Sequence, residues 1–187
     1  MGNLNSFSFV EHNRSLHLQC VNFGWRTFLF ESIHKMDVFR IAFIGHRELR
    51  AISYIEKELE EIVSKKLFEK EYVEFYVGRN GTFDIVVASV IKRMQSAYGN
   101  HNSSLILVLP YSTKNHVYYE KFYDEIEYPL PRNTHYKAAI GKRNEWLVDN
   151  ADLLISFVKN NAGGAYETLR YAEKKGVAII NLAPLLQ

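Results

Sequence analysis

Apolar positions follow two alternating rhythms from Val38 onward. Short, nearly continuous apolar runs occur at 38–45 (VFRIAFIG), 72–78 (YVEFYVG), 104–110 (SLILVLP), 151–158 (ADLLISFV) and 177–182 (VAIINL). Their length, and the Gly or Pro that closes the first three, mark them as strands buried on both faces. Between the first two runs, Ile52, Ile55, Leu59, Ile62, Val63 and Leu67 recur at helical spacing and predict a helix over 51–70. Val86, Val87, Val90, Ile91 and Met94 predict another over 83–98, and further helices are expected over 135–150 and 165–175. Residues 111–134, rich in Tyr and Pro, read as irregular. Strands alternating with helices require parallel pairing, right-handed crossovers and helices on both faces of the sheet. The expected fold is therefore a three-layer α/β architecture with a mainly parallel sheet of about five strands.

Residues 1–35 break this pattern. Phe7, Phe9, Phe23, Trp25, Phe28 and Phe30 are scattered with no sustained period, and no secretory cleavage pattern is present. The segment reads as a poorly structured N-terminal extension, as a partner-binding arm, or as sequence upstream of a start at Met36. No function is placed there, and 36–187 is expected to form one domain.

Composition narrows the class. A chain of 187 residues with 47% hydrophobic and 24% charged residues has ordinary globular usage, which excludes wholesale disorder. The single cysteine, Cys20, excludes an internal disulfide framework and a multi-cysteine zinc site. No apolar run has the length of a membrane-spanning helix. The formal net charge of +2 argues against nucleic acid and acidic membranes as partners. The expectation is a cytoplasmic protein without metal or cofactor; self-association is left open.

Ligands of open parallel sheets sit beyond the carboxyl ends of the strands. The segments there are Gly45-His46-Arg47, Gly78-Arg79-Asn80-Gly81-Thr82-Phe83-Asp84, Pro110-Tyr111-Ser112-Thr113 and Lys159-Asn160-Asn161-Ala162-Gly163-Gly164-Ala165. Glycine lets backbone approach a ligand closely, and a helix N-terminus offers free N–H groups to an anion. Arg47 and Arg79 add forked donors for phosphate oxygens. Together these segments point to a phosphate or sugar-phosphate site. The G-x-G-x-x-G and G-x-x-x-x-G-K-[ST] patterns are absent, which disfavours a standard nicotinamide dehydrogenase or a P-loop ATPase. His46 contacts a ligand, serves as a general acid, or bonds the local backbone. Asp84 either does chemistry or caps its helix. A second cluster, Lys142, Arg143, Asn144, Glu145, Trp146 and Asp149, leads into the fourth strand. Arg143 and Asn144 either reach the rim or belong to a solvated helix with local ion pairs. Asp124, Glu125, Glu127 and Tyr128 lie in the long irregular stretch, where lids and binding loops are found.

The segments FIGHREL, YVGRNGTFD, KRNEWLVDNADLLISF and NNAGGAYETLRYA occur in an order that resembles the SLOG superfamily, in its YpsA-like branch, from about Val38 to Leu182. That superfamily also holds the lysine-decarboxylase-like phosphoribohydrolases and the DNA-processing protein A family. The resemblance implies a Rossmann-like sheet that binds a nucleotide or nucleotide derivative at its strand carboxyl ends. It assigns binding to Gly45, His46, Arg47, Gly78, Gly81, Arg143, Asn144, Gly163 and Gly164, and also covers Asp84 and Asp149, while Arg79 enters from its place at the strand ends alone. Thr82 stands where DNA-processing protein A has a glycine. Ala162, Tyr166 and Arg170 replace the proline, third glycine and glutamate of the phosphoribohydrolases, with Glu167 one turn away.

The first functional expectation is a nucleotide-binding sensor or regulatory module. The alternatives are an N-glycosidic bond hydrolase or transferase, with Asp84 or Glu167 as its carboxylate, and a single-stranded DNA-binding protein. The many tyrosines favour the last and the small net charge opposes it.

Overall fold

Four consecutive buried residues, Ile41, Ala42, Phe43 and Ile44, place the first strand at the centre of the sheet. A computed structural model describes residues 36–49, 52–114 and 116–183. The extension expected over 1–35 lies outside the described residues. In chain order the elements are β1 (Val38–Gly45), α1 (Ile52–Glu69), β2 (Tyr72–Val77), α2 (Thr82–Tyr98), β3 (Ser103–Val108), α3 (His116–Tyr119), β4 (Glu125–Glu127), α4 (Tyr136–Asp149), β5 (Leu153–Phe157), α5 (Gly164–Lys175) and β6 (Ala178–Asn181).

The strands form one sheet in the order β4-β3-β2-β1-β5-β6, and every pairing is parallel. The side chains of β1 alternate between two cores, as a period of two requires. Ile41 and Phe43 pack with Ile55, Leu59 and Val63 of α1 and with Phe83, Val87 and Ile91 of α2. Ala42 and Ile44 pack with Leu147 and Val148 of α4 and Ala172 of α5. This is the expected three-layer, Rossmann-like class. The sheet has six strands rather than about five, because β4 lies inside the stretch read as irregular. It is three residues long and its pairing, Leu107 opposite Ile126, places one apolar side chain in register, so it has no run for periodicity to detect.

Asp124 fixes that edge. Its carboxylate accepts hydrogen bonds from Leu105 N at 2.7 Å, Gln95 Nε2 at 2.9 Å and Lys92 Nζ at 2.6 Å, tying α2 and β3 to the start of β4. Burial opposes ionisation, but the Lys92, Leu105 and Gln95 hydrogen bonds outweigh it and hold the carboxyl below its ordinary range. Asp124→Ala leaves the buried Leu105 N–H without this acceptor and is expected to cost about 1–3 kcal/mol at neutral pH. The depressed folded-state pKa makes this stabilisation present above the unfolded pKa and lost as pH falls through the folded one. Denaturant melts of wild type and variant should therefore converge in acid; a gap independent of pH would refute the assignment.

The chain moves outward from β1 through β2 and β3 to β4, then returns by α4 to β5 on the other side of β1. The carboxyl ends of β1 and β5 are thus the switch point, where loops diverge and leave a crevice.

Candidate functional site at the switch point

A cleft of about 300 Å³ opens there. His46 and Arg47 border it after β1, Asn80, Gly81 and Asp84 around the start of α2, Ile140, Arg143 and Asn144 on α4, and residues 162–165 at the start of α5.

Arg143 is the central feature. Its residue surface is 3% exposed, and its Nε has no hydrogen-bond partner. Asp84, also buried, is its electrostatic counterpart. The Asp84 carboxylate accepts the Asn80 N–H at 2.7 Å, which ties the β2–α2 turn to the first turn of the helix. Burial pushes the Asp84 carboxyl above its ordinary range, against the opposing pull of the Asn80 N–H and of Arg143. Burial likewise lowers the pKa of Arg143, opposed by Asp84. Gly78 makes the arrangement fit: a Cβ there would meet Arg143 Nη1 and lie 2.8 Å from Asp84 Oδ2.

The surrounding backbone is set by specific bonds. His46 Nε2 accepts the N–H groups of Lys159 at 2.8 Å and Asn160 at 3.3 Å, so the neutral ring carries its proton on Nδ1 and clasps the β5–α5 loop. Thr82 N donates to Arg47 O at 2.8 Å, fixing the β1 loop against α2. Arg47 itself is exposed at the cleft. The α2 and α5 helices both begin at glycine, Gly81 and Gly163, with no side-chain cap, so N-terminal partial positive charge faces the cleft. Gly163 has φ of 89°, a region that side chains rarely adopt. Thr168 donates its hydroxyl hydrogen to Gly164 O at 2.6 Å and accepts from Asn144 Nδ2 at 3.0 Å, which joins α4 to the first turn of α5. Asn144 Oδ1 is left buried without a partner.

The structure thus brings Gly45, His46, Arg47, Gly81, Asp84, Arg143, Asn144, Gly163 and Gly164 to one cleft, with Gly78 beneath its Arg143–Asp84 pair. Two expected site residues stand elsewhere. Arg79 turns to the tyrosines of α3 and to Tyr123. Glu167 is exposed on α5 and does not line the cleft. Asp149 joins Lys175 at 2.7 Å and Tyr171, as a tie between α4 and α5. Asn80 belongs to an expected rim segment, whereas Ile140 and Thr168 are not among the expected site residues. Ile140 precedes Arg143 by three residues and Thr168 follows Gly164 by four, so helical spacing from the chosen residues was the available signal. Among the described residues, no group of three or more His, Cys, Asp or Glu side chains is placed to hold a metal, and no helix is long and apolar enough to cross a membrane.

No protein-family model matches the chain, and no curated protein matches it. Its fold is similar to that of DNA processing protein A from Helicobacter pylori, a structure described for its unique single-stranded DNA binding mode. The TM-score is 0.54 at 16% identity, covering 75% of this chain and 63% of that one. It is also similar to DNA processing protein A from Streptococcus pneumoniae, with a TM-score of 0.55 at 14% identity, covering 76% of this chain and 49% of that one. The chain thus spans less than two thirds of either protein's length. This likeness corrects the expectation, drawn from net charge, that nucleic acid is disfavoured as a partner. A sum over the chain hides local charge: Arg47 and Arg143 meet two helix N-termini at the rim, while Glu56, Glu60 and Glu69 are paired on the helical surface.

Proposed function

We propose that this chain binds single-stranded DNA, with one sugar-phosphate unit held in the cleft at the switch point. The observation that carries the reading is Arg143. A guanidinium this buried, with Nε unbonded, costs stability, and an anion in the cleft offsets that cost. Arg47 and the N-termini of α2 and α5 add donors around the same point. The likeness to DNA processing protein A favours a strand over a free nucleotide.

A free nucleotide or nucleotide derivative is the second reading, favoured by the cleft's volume of about 300 Å³, the small end of ligand sites. It is also the reading that the YpsA-like resemblance supports, as a sensor or regulatory module. Of the two candidate carboxylates, Glu167 lies outside the cleft and Asp84, which lines it, is engaged by the Asn80 N–H and Arg143, so no glycosidic-bond reaction is proposed.

Fluorescence anisotropy with a labelled oligodeoxythymidylate, titrated at several salt concentrations, tests the strand reading. Binding is expected to weaken with a log–log slope of roughly −0.7 per phosphate engaged. Gly164 has open space around it, so Gly164→Asp should leave stability nearly unchanged while placing a negative charge at the anion's position. Affinity for the strand should then fall by at least about tenfold. Saturable binding of a mononucleotide without strand binding would select the second reading; unchanged strand affinity in Gly164→Asp would move the site elsewhere.

A further inference from the structure

Arg79 lies two residues beyond the end of β2, and the next two residues, Asn80 and Gly81, border the cleft. Its guanidinium carbon lies 4.7 Å from the ring centre of Tyr119 and 5.9 Å from that of Tyr118. Its hydrogen bond to Tyr123 OH is long, 3.4 Å, and uses one nitrogen of a group with five donors. Tyr118 meets Tyr119 edge-on at 5.8 Å, yet is 64% exposed. Nothing in the core requires an aromatic ring at that position.

We propose that Arg79 and Tyr118 form a second nucleotide subsite, a cation–aromatic platform on which the base adjoining the cleft-bound unit stacks. The proposal deepens the strand-binding reading and rests on it. Arg79 is one residue from the cleft wall, so a strand anchored at Arg143 and running toward β3 passes over this platform. Aromatic faces accept any base, and a guanidinium beside them serves both a π-face and the strand's phosphate. Bases inside a duplex are already stacked and cannot use it, so the platform selects single strands.

The test compares three probes by anisotropy: an oligodeoxythymidylate of about twelve nucleotides, an abasic strand of the same length, and the corresponding duplex. Wild type should prefer the thymidylate over the abasic strand by about fivefold or more. Tyr118→Leu should lower thymidylate affinity to that of the abasic strand, Tyr118→Trp should preserve the preference, and Arg143→Met should weaken both strands alike. A wild type that treats both strands equally, or a Tyr118→Leu variant that keeps its preference for bases, overturns the platform while the strand reading stands. Failure of wild type to bind either strand overturns both.

Discussion

Replacing Arg143 with Met should weaken strand or nucleotide binding by at least about tenfold and lower the unfolding midpoint, because the buried Asp84 loses its counter-charge. Hydrogen bonds to charged groups contribute about 1.5–3 kcal/mol, and an anion in the cleft would lose those of the guanidinium. Stability responds to two opposing changes. The variant removes a buried charge whose Nε is unbonded, but it also removes the counter-charge of Asp84. Asp84 keeps its Asn80 hydrogen bond, which holds part of its charge in place when the cation is gone. Removing one member of a buried pair leaves the other charge uncompensated and costs about 3–5 kcal/mol, or roughly 6–20 °C in a chain of this size. Arg47 supplies an internal check. It borders the same cleft from the β1 loop, so Arg47→Ala and Arg143→Met should couple by more than about 0.5 kcal/mol in affinity. Calorimetric titration and thermal melts of the two single variants and the double variant decide it: an unchanged affinity in Arg143→Met would remove the cleft as the binding site.

The pattern of residues reaches the sheet and most of the rim because both depend on long-lived regularities. Five apolar runs separated by helical stripes leave little choice of architecture, and a parallel sheet carries every βα turn to one edge. What the pattern misses is short or directional. β4 is three residues held by backbone pairing and by Asp124, with no periodicity to read. Glu167 and Thr168 are consecutive on α5, yet Thr168 is buried against Asn144 while Glu167 is exposed; the rotational phase of the helix decides between them. Arg79 was reachable. Tyr76 faces the α4 and α5 core and Val77 the α1 and α2 core, so Gly78 continues toward Arg143 and Arg79 toward Tyr123. Positions 78 and 79 thus face opposite sides, and only the first meets Arg143. The misjudged nucleic-acid partner has a different origin, since net charge is a sum and binding responds to local potential.

The same geometry separates the rim glycines by what their substitution should damage. A Cβ on Gly81 would lie 2.6 Å from the Cα of Arg47 and 3.3 Å from His46 O. Those atoms are backbone and cannot rotate away, so the β1 loop must shift and strain the hydrogen bond from Thr82 N to Arg47 O. Gly81→Ala should therefore destabilise the fold by about 1–3 kcal/mol, the range for overpacking a tight contact, and lower the midpoint by roughly 2–4 °C per kcal/mol. Gly78→Ala meets the ends of side chains instead, Arg143 Nη1 and Asp84 Oδ2. They can yield, so its main effect should be a displaced guanidinium and a loss of affinity of at least about tenfold. Gly164→Ala meets nothing within 4 Å and lies in a helix, so both stability and affinity should stay near wild type. Thermal melts and anisotropy titrations of the three alanine variants test this ordering. Equal stability losses at all three positions would mean that the glycines serve turn formation alone, and an affinity unaffected by Gly78→Ala would detach Arg143 from the ligand.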